Sequence, residues 1–261
     1  MARTYTDIGV ELQGHVGVVE IRRPQHNFFD TALIRQIADA YEELDGVEAC
    51  RAIVLSAQGQ SFCAGADFVN RPNLATFDEA WPVSKHLYKE AVRMFRAKKP
   101  VVAAVQGAAV GGGLGLALSA DFRVTCKEAR FSSNFVRIGL HPGFGLTVTL
   151  PRLVGAQKAA FLTLTGRRIG GEEAVALGMA DVLAPQAELR SAALALAAEI
   201  AEGAPLAILS IRETMRRGLA DEIERATERE LFEQEWLRRS EDFKEGIASY
   251  GARRPGNFSS R

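Results

Sequence analysis

Residues 99–121 read KPVVAAVQGAAVGGGLGLALSAD, and this stretch decides the fold. Val101 to Val105 is a run of small and β-branched apolar residues, the composition of one buried strand. Gln106 and Gly107 end it, a glycine-rich turn follows, and Gly112 to Ala120 reads as a helix. Phe122 to Cys126 is then a second strand. Strand, turn, helix and strand in this order imply parallel β layers joined by helical crossovers, an α/β architecture. The stretch is also uncharged between Lys99 and Asp121, long enough to raise the question of a membrane span. Its five glycines, Pro100 and Gln106 divide it into strand, loop and packed helix, and no span is expected.

The same grammar extends toward the N-terminus. Ile8 to Gln13 and Val16 to Arg22 flank a short turn at Gly14 and His15 and form a hairpin. Asp30 is placed to cap a helix whose inward residues are Leu33, Ile37, Tyr41 and Leu44. Ala52 to Ser56 is a short strand followed by a Gly/Ser/Ala loop from Ala57 to Ala66, and a charged helix fills much of Phe77 to Lys98, interrupted or begun at Pro82. Beyond Gly145 strands nearly vanish. Helices are expected over Ala156 to Thr165 and Glu172 to Leu177, with one strand-like run at Met179 to Leu183. The stripe Leu189, Ala193, Leu196, Ile200 stops at Gly203, Pro205 suits the start of the next helix, and Asp221 to Ser240 is helical and charge-rich. The change from β/α units to helices near residues 185–205 marks the border between core and appendage.

Composition narrows the function classes. The 261 residues are 47% hydrophobic and 25% charged, which is ordinary globular usage. Lysine plus arginine and aspartate plus glutamate number 32 each, so no global field recruits nucleic acid or an anionic membrane. Cys50, Cys63 and Cys126 are odd in number and lack metal-ligand or redox spacing, which implies free thiols, no metal site and a reducing cytoplasm. Met1 to Gly17 carries charges and no apolar core, so it does not read as a secretory signal.

Two loops of very small residues each follow a buried strand. One is Ser61-Phe62-Cys63-Ala64-Gly65-Ala66-Asp67; the other runs from Gly107 to Gly115. Small residues let backbone N–H groups approach a ligand, and a following helix aims its own N–H groups at the same point. Two such donors converging on one oxygen form an oxyanion hole, where losing one donor typically costs about 100- to 1000-fold in rate. A dinucleotide site is the competing reading of the second loop. The order G-x-G-x-x-G is not kept, and no acidic residue ends a second strand about 20 positions on. A phosphate-binding G-x-x-x-x-G-K-[ST] loop does not occur either.

Together, Arg23-Pro24…Asn27, Phe62-x-Ala64-Gly65-Ala66-Asp67, Lys99-Pro100-Val101-Val102-Ala103-Ala104-Val105-x-Gly107 and Gly111-Gly112-Gly113 resemble the crotonase family, also called the enoyl-CoA hydratase/isomerase family. Pro142-Gly143-x-Gly145, Leu164-Thr165-Gly166-Arg167-x-Ile169, Ala174-x-x-x-Gly178, Glu245-Gly246 and Pro255-x-x-Phe258 continue the match over essentially the whole chain. The resemblance implies a spiral of ββα turns over residues 1–200 and a helical region, 201–261, that builds a homotrimer or a hexamer of two trimers and closes the pocket. It implies lyase or isomerase chemistry in fatty acid metabolism, with an acyl-CoA thioester as substrate and no cofactor. Carried over by position, the N–H groups of Ala66 and Gly112 hold the thioester oxygen, and Arg23, Gln25, Ala64, Gly65, Tyr250 and Arg253 contact the CoA moiety.

Where the resembling hydratases carry two glutamates, this sequence has Gly115 and Phe135, the latter then a substrate-contacting residue. Hydration needs one group to activate water and one to deliver a proton, each worth about 100- to 10,000-fold. Glycine and phenylalanine do neither, and isomerases of the family need the second carboxylate. His141, beside Pro142-Gly143, is the candidate replacement acid or base, since histidine titrates near neutrality. It also suits a purely local role in the Pro-Gly turn. Asp67 is expected mainly to fix its own loop, His26 to sit near the CoA pocket, and His86 to lie on a solvated helix. Phe28, Phe29, Phe68, Leu140 and Phe144 suit an apolar acyl tunnel as well as a core. Three functions follow: an enzyme with a non-standard acid/base, a catalytically impaired acyl-CoA-binding member, and a histidine-dependent hydrolase of β-diketone type.

Overall fold

Apolar β-branched runs form the scaffold of the computed structural model, which describes residues 4–68, 70 and 87–260. Strands β1 (Ile8–Gln13) and β2 (Val16–Ile21) pair antiparallel from Ile8↔Ile21 to Gln13↔Val16. β3 (Ala52–Ala57), β4 (Val101–Val105), β6 (Phe122–Thr125) and β9 (Val182–Leu183) add in parallel, giving the order β1-β2-β3-β4-β6-β9. β2 and β4 are buried at every position, as interior strands covered on both faces must be. A second sheet, β5-β7-β8, is built from β5 (Ala108–Val110), β7 (Arg130–Ser132) and β8 (Arg168–Gly170). Successive strands therefore alternate between sheets: β4 enters the large one and β5 the small, then β6 the large and β7 the small. This is the ββα alternation expected.

Of the helices that follow, α1 (Thr31–Asp45), α3 (Gly112–Ser119), α6 (Gly171–Ala176) and α7 (Leu189–Glu202) pack on the strands, while α2 (Leu87–Phe95), α4 (Leu146–Val154) and α5 (Ala156–Thr165) pack chiefly on other helical elements. Asp30 caps α1 by accepting the Leu33 N–H at 3.0 Å. After α7 the chain is helical only: α8 (Pro205–Met215), α9 (Leu219–Leu237) and α10 (Glu241–Gly251). Asp121 pins α8 to the sheet, accepting the Val101 N–H at 2.8 Å, Arg212 Nε at 3.0 Å and Arg216 Nη1 at 2.8 Å. Among the described residues no single helix is long and apolar enough to cross a membrane.

Two details differ from the sequence reading, and a third lies partly outside the described residues. Ala108–Val110 is a strand, not part of a turn, because it pairs with Arg130–Ser132 and is too short to show a period. β8 follows Gly145, and only Val182–Leu183 of the expected Met179 to Leu183 run pairs in a strand. The charged helix expected from Phe77 is described from Leu87; Phe77, Pro82 and His86 lie outside the described residues.

Candidate active site

Main-chain bonds bring the two small-residue loops together. The Cys63 N–H donates to Ala108 O at 2.9 Å and the Val110 N–H to Cys63 O at 3.1 Å, so residues 61–67 run beside β5 just before the glycine turn. Gly65 has φ of +81°, and a Cβ there would stand 2.8 Å from the Val110 carbonyl oxygen and 3.5 Å from the Gly112 nitrogen. Only glycine suits that backbone and that gap. Gly111, at φ +57°, caps α3 without a side chain, leaving Gly112 as the first helical residue. An N–H at that position has no partner inside its own helix and sits at the positive end of the helix dipole. Neither the Ala66 nor the Gly112 N–H donates to a described residue.

These loops border a cavity of about 2160 Å³, well above the roughly 300–1000 Å³ that holds a drug-sized molecule. Ala64, Gly65, Ala66, Gly112, Phe135, Tyr250 and Arg253 all line it, so seven sequence-derived residues from four regions of the chain border one cavity. Arg23 and Gln25 line an adjoining cavity of about 240 Å³ that shares His26, Phe28, Phe29 and Asp67 with the large one. The Arg23 guanidinium is engaged by Asp7 at 2.7 Å and Asp30 at 2.9 Å. His141 lines neither cavity: its Nδ1 lies 2.8 Å from the Pro142 carbonyl oxygen, and its own carbonyl accepts Gln234 Nε2 at 2.9 Å. Asp67 holds its loop by accepting the Asn70 N–H at 3.0 Å and Asn70 Nδ2 at 3.1 Å.

Aromatic rings crowd positions 115 and 135. A Cβ on Gly115 would stand 2.6 Å from Phe144 Cβ, and Phe144 is fully buried. Its ring lies 5.6 Å from that of Phe29, which presses on Gly112. Phe135 is 6% exposed and brings its Cζ within 3.8 Å of a Cβ position on Gly111. Of the expected acyl-tunnel residues, Phe28, Phe29, Phe68 and Leu140 reach the cavity wall, while Phe144 stands behind it.

Tyr88, Gln234 and Arg238, which the sequence did not single out, complete the cavity lining, and Glu230 stands behind them. Tyr88 donates to Gln234 Oε1 at 3.1 Å and accepts the Phe144 N–H. Arg238 lies 5.7 Å over the Phe68 ring. Glu230, one turn before Gln234 on α9, accepts the Gly145 N–H at 2.8 Å, the Thr147 N–H at 3.1 Å and the Thr147 hydroxyl at 2.6 Å. Burial nevertheless pushes its carboxyl up to about 7. The signal was present as Glu230, Gln234 and Arg238 at i, i+4, i+8, but on a charged helix this stripe reads as a solvated face. Burial also pushes the Cys63 thiol up to about 12, so no thiolate nucleophile stands beside the loop. Among the described residues no group of three His, Cys, Asp or Glu side chains is arranged to hold a metal.

The chain is similar to known proteins over nearly its whole length. The family model described as enoyl-CoA hydratase/isomerase matches residues 11–261. A relative from Thermus thermophilus is 35% identical over 253 residues, spanning 94% of this chain and 98% of its own. The crystal structure of an enoyl-CoA hydratase/isomerase from Pseudoalteromonas atlantica superposes with a TM-score of 0.87 at 27% identity, over 97% of this chain and 100% of that one. A carnitinyl-CoA hydratase structure from Mycobacterium avium gives 0.86 at 30% identity, over 99% and 100%.

Proposed function

The chain belongs to the enoyl-CoA hydratase/isomerase family, and we propose that it binds an acyl-CoA thioester with the thioester oxygen between the N–H groups of Ala66 and Gly112. The approach of Gly65 to the Gly112 nitrogen, 3.5 Å from a Cβ position, carries this reading. Unpartnered donors on one wall stabilise an enolate oxygen by several kcal/mol, on the scale of about 2.7–4 kcal/mol for a single donor. Tyr250 and Arg253 at the same cavity, with Arg23 and Gln25 in the adjoining one, suit the adenine and phosphates of CoA. No cofactor enters this chemistry; the acyl-CoA is substrate.

Hydration by two carboxylates is not the activity proposed. Gly115 and Phe135 supply no proton, and Phe144 takes the space a side chain at 115 would need. The chain acts on its thioester through the enolate with a non-standard acid/base. The packing of Phe144 and Phe135 also favours a second reading, an acyl-CoA-binding member impaired in catalysis. A histidine-dependent hydrolase draws less support, because the His141 ring faces the Pro142 carbonyl and not the cavity. We place the helical region 201–261 at a subunit contact of a trimer or hexamer, on the exposure of Leu206 (81%) and Met215 (78%) on α8. Three buried free thiols support a cytoplasmic site of action.

Thermal-shift titration tests binding. CoA and crotonyl-CoA at millimolar concentration should raise the melting temperature by several degrees, as mass action at about 100-fold over Kd contributes roughly 2.7 kcal/mol. No shift with either ligand overturns the reading. Crotonyl-CoA hydration should run at least about 100-fold below that of a two-glutamate relative. A matching rate overturns the assignment of positions 115 and 135.

A further inference from the structure

Asn134 opens the 3-10 turn Asn134–Ile138, partly buried at the cavity wall. Its Oδ1 lies 3.2 Å from the Cβ position of Gly111, the residue immediately before the Gly112 amide. Its carboxamide hydrogen-bonds to none of the described residues. The surroundings are aromatic: Phe135 is its chain neighbour, and Phe29 presses on Gly112. A carboxamide offers two N–H donors and a carbonyl acceptor. Half-buried at the cavity wall, such a group favours a ligand oxygen over a hydrocarbon, since a hydrocarbon that covers it strips its water and leaves it unpaired.

Resting on the thioester reading of this cavity, we propose that Asn134 is a specificity-determining residue whose carboxamide hydrogen-bonds an oxygen on the acyl chain next to the thioester. The distances set where that oxygen lies. With the thioester oxygen at the Gly112 amide and Asn134 against Gly111, the two recognition points belong to adjacent residues, whose Cα atoms stand about 3.8 Å apart. That span reaches the second or third acyl carbon. The preferred substrate class is therefore a hydroxy- or oxo-acyl-CoA, with the plain saturated thioester rejected. The carboxamide does not titrate near neutrality, so its role is recognition, not proton transfer.

Calorimetric titration of the full chain with CoA, butyryl-CoA, 3-hydroxybutyryl-CoA and acetoacetyl-CoA tests the assignment. The wild type should bind one of the two oxygenated thioesters about 10- to 100-fold more tightly than butyryl-CoA. Asn134→Ala should bring that ratio near one while CoA and butyryl-CoA affinities stay within about 3-fold. Asn134→Ser, which keeps a donor, should restore part of the ratio and is the second variant if the alanine form does not fold. A wild-type ratio near one, or the same ratio in wild type and Asn134→Ala, overturns the assignment while leaving the thioester site standing. Failure of CoA and all three thioesters to bind the wild type overturns the site reading, and this assignment with it.

Discussion

Glu230→Gln isolates one buried charge. Glu230 is 1% exposed and accepts three hydrogen bonds from Gly145 and Thr147, yet burial raises its carboxyl from 4.5 to about 7. A rise of roughly 2.5 units at 1.36 kcal/mol per unit is about 3 kcal/mol of linkage between protonation and folding. The sign follows from the direction of the rise. The folded state holds this proton more tightly than the unfolded chain, so the stabilisation is complete below pH 4.5, is lost as pH climbs toward 7, and is absent above it. Glutamine keeps the shape and one acceptor oxygen but does not titrate. Wild-type stability measured relative to Glu230→Gln should therefore fall by about 3 kcal/mol between pH 4.5 and 8, at up to about 1.4 kcal/mol per pH unit. Urea unfolding of both proteins at several pH values and one fixed concentration reads the difference. Asp7 and Glu20, whose carboxyls are lowered, titrate alike in both proteins and cancel. A difference flat in pH, or a wild type that gains on the variant as pH rises, refutes the reasoning.

Gly65→Ala puts a Cβ 2.8 Å from the Val110 carbonyl at φ +81°, and should destabilise by about 1–3 kcal/mol while weakening thioester binding. Thermal melts and CoA titration check it, and an unchanged melt contradicts the tight approach. Asp121→Ala leaves Arg212 and Arg216, whose side chains are 9% and 17% exposed, without their counter-charge. It should cost about 3–5 kcal/mol in urea unfolding, and a loss under about 1 kcal/mol denies that the cluster anchors α8.

Much of the fold was legible because its signals are local. Asp30 announced α1, Val101 to Val105 announced β4, and Pro205 announced α8, each through residues whose chemistry acts within one turn or strand. The second sheet was not legible. β5, β7 and β8 span three residues each, and Ala108–Val110 or Arg168–Gly170 has no period or composition that marks a strand until its partner is in place. The site divided the same way. Gly65 and Gly112 carry a backbone requirement that a sequence displays directly. Tyr88, Gln234 and Asn134 matter through what they face across the cavity, and a lone tyrosine, glutamine or asparagine carries no such mark.

The crowding at positions 115 and 135 is spread over the architecture. Gly115 is without a side chain where Phe144 stands, and Phe144 is fixed from elsewhere: its N–H bonds to Tyr88 in the first turn of α2, and the next residue, Gly145, bonds to Glu230 of α9. Gln234 holds the same loop through the His141 carbonyl. A glutamate placed at 115 therefore meets a ring whose backbone is tied to two other helices, while Phe135 contributes its own ring against Gly111. The Ala66 and Gly112 N–H groups belong to the main chain and are supplied by neither of these side chains. On the proposed thioester reading, recognition by main-chain donors and chemistry by carboxylates are therefore physically separable, and a chain that keeps the first can exclude the second by aromatic packing.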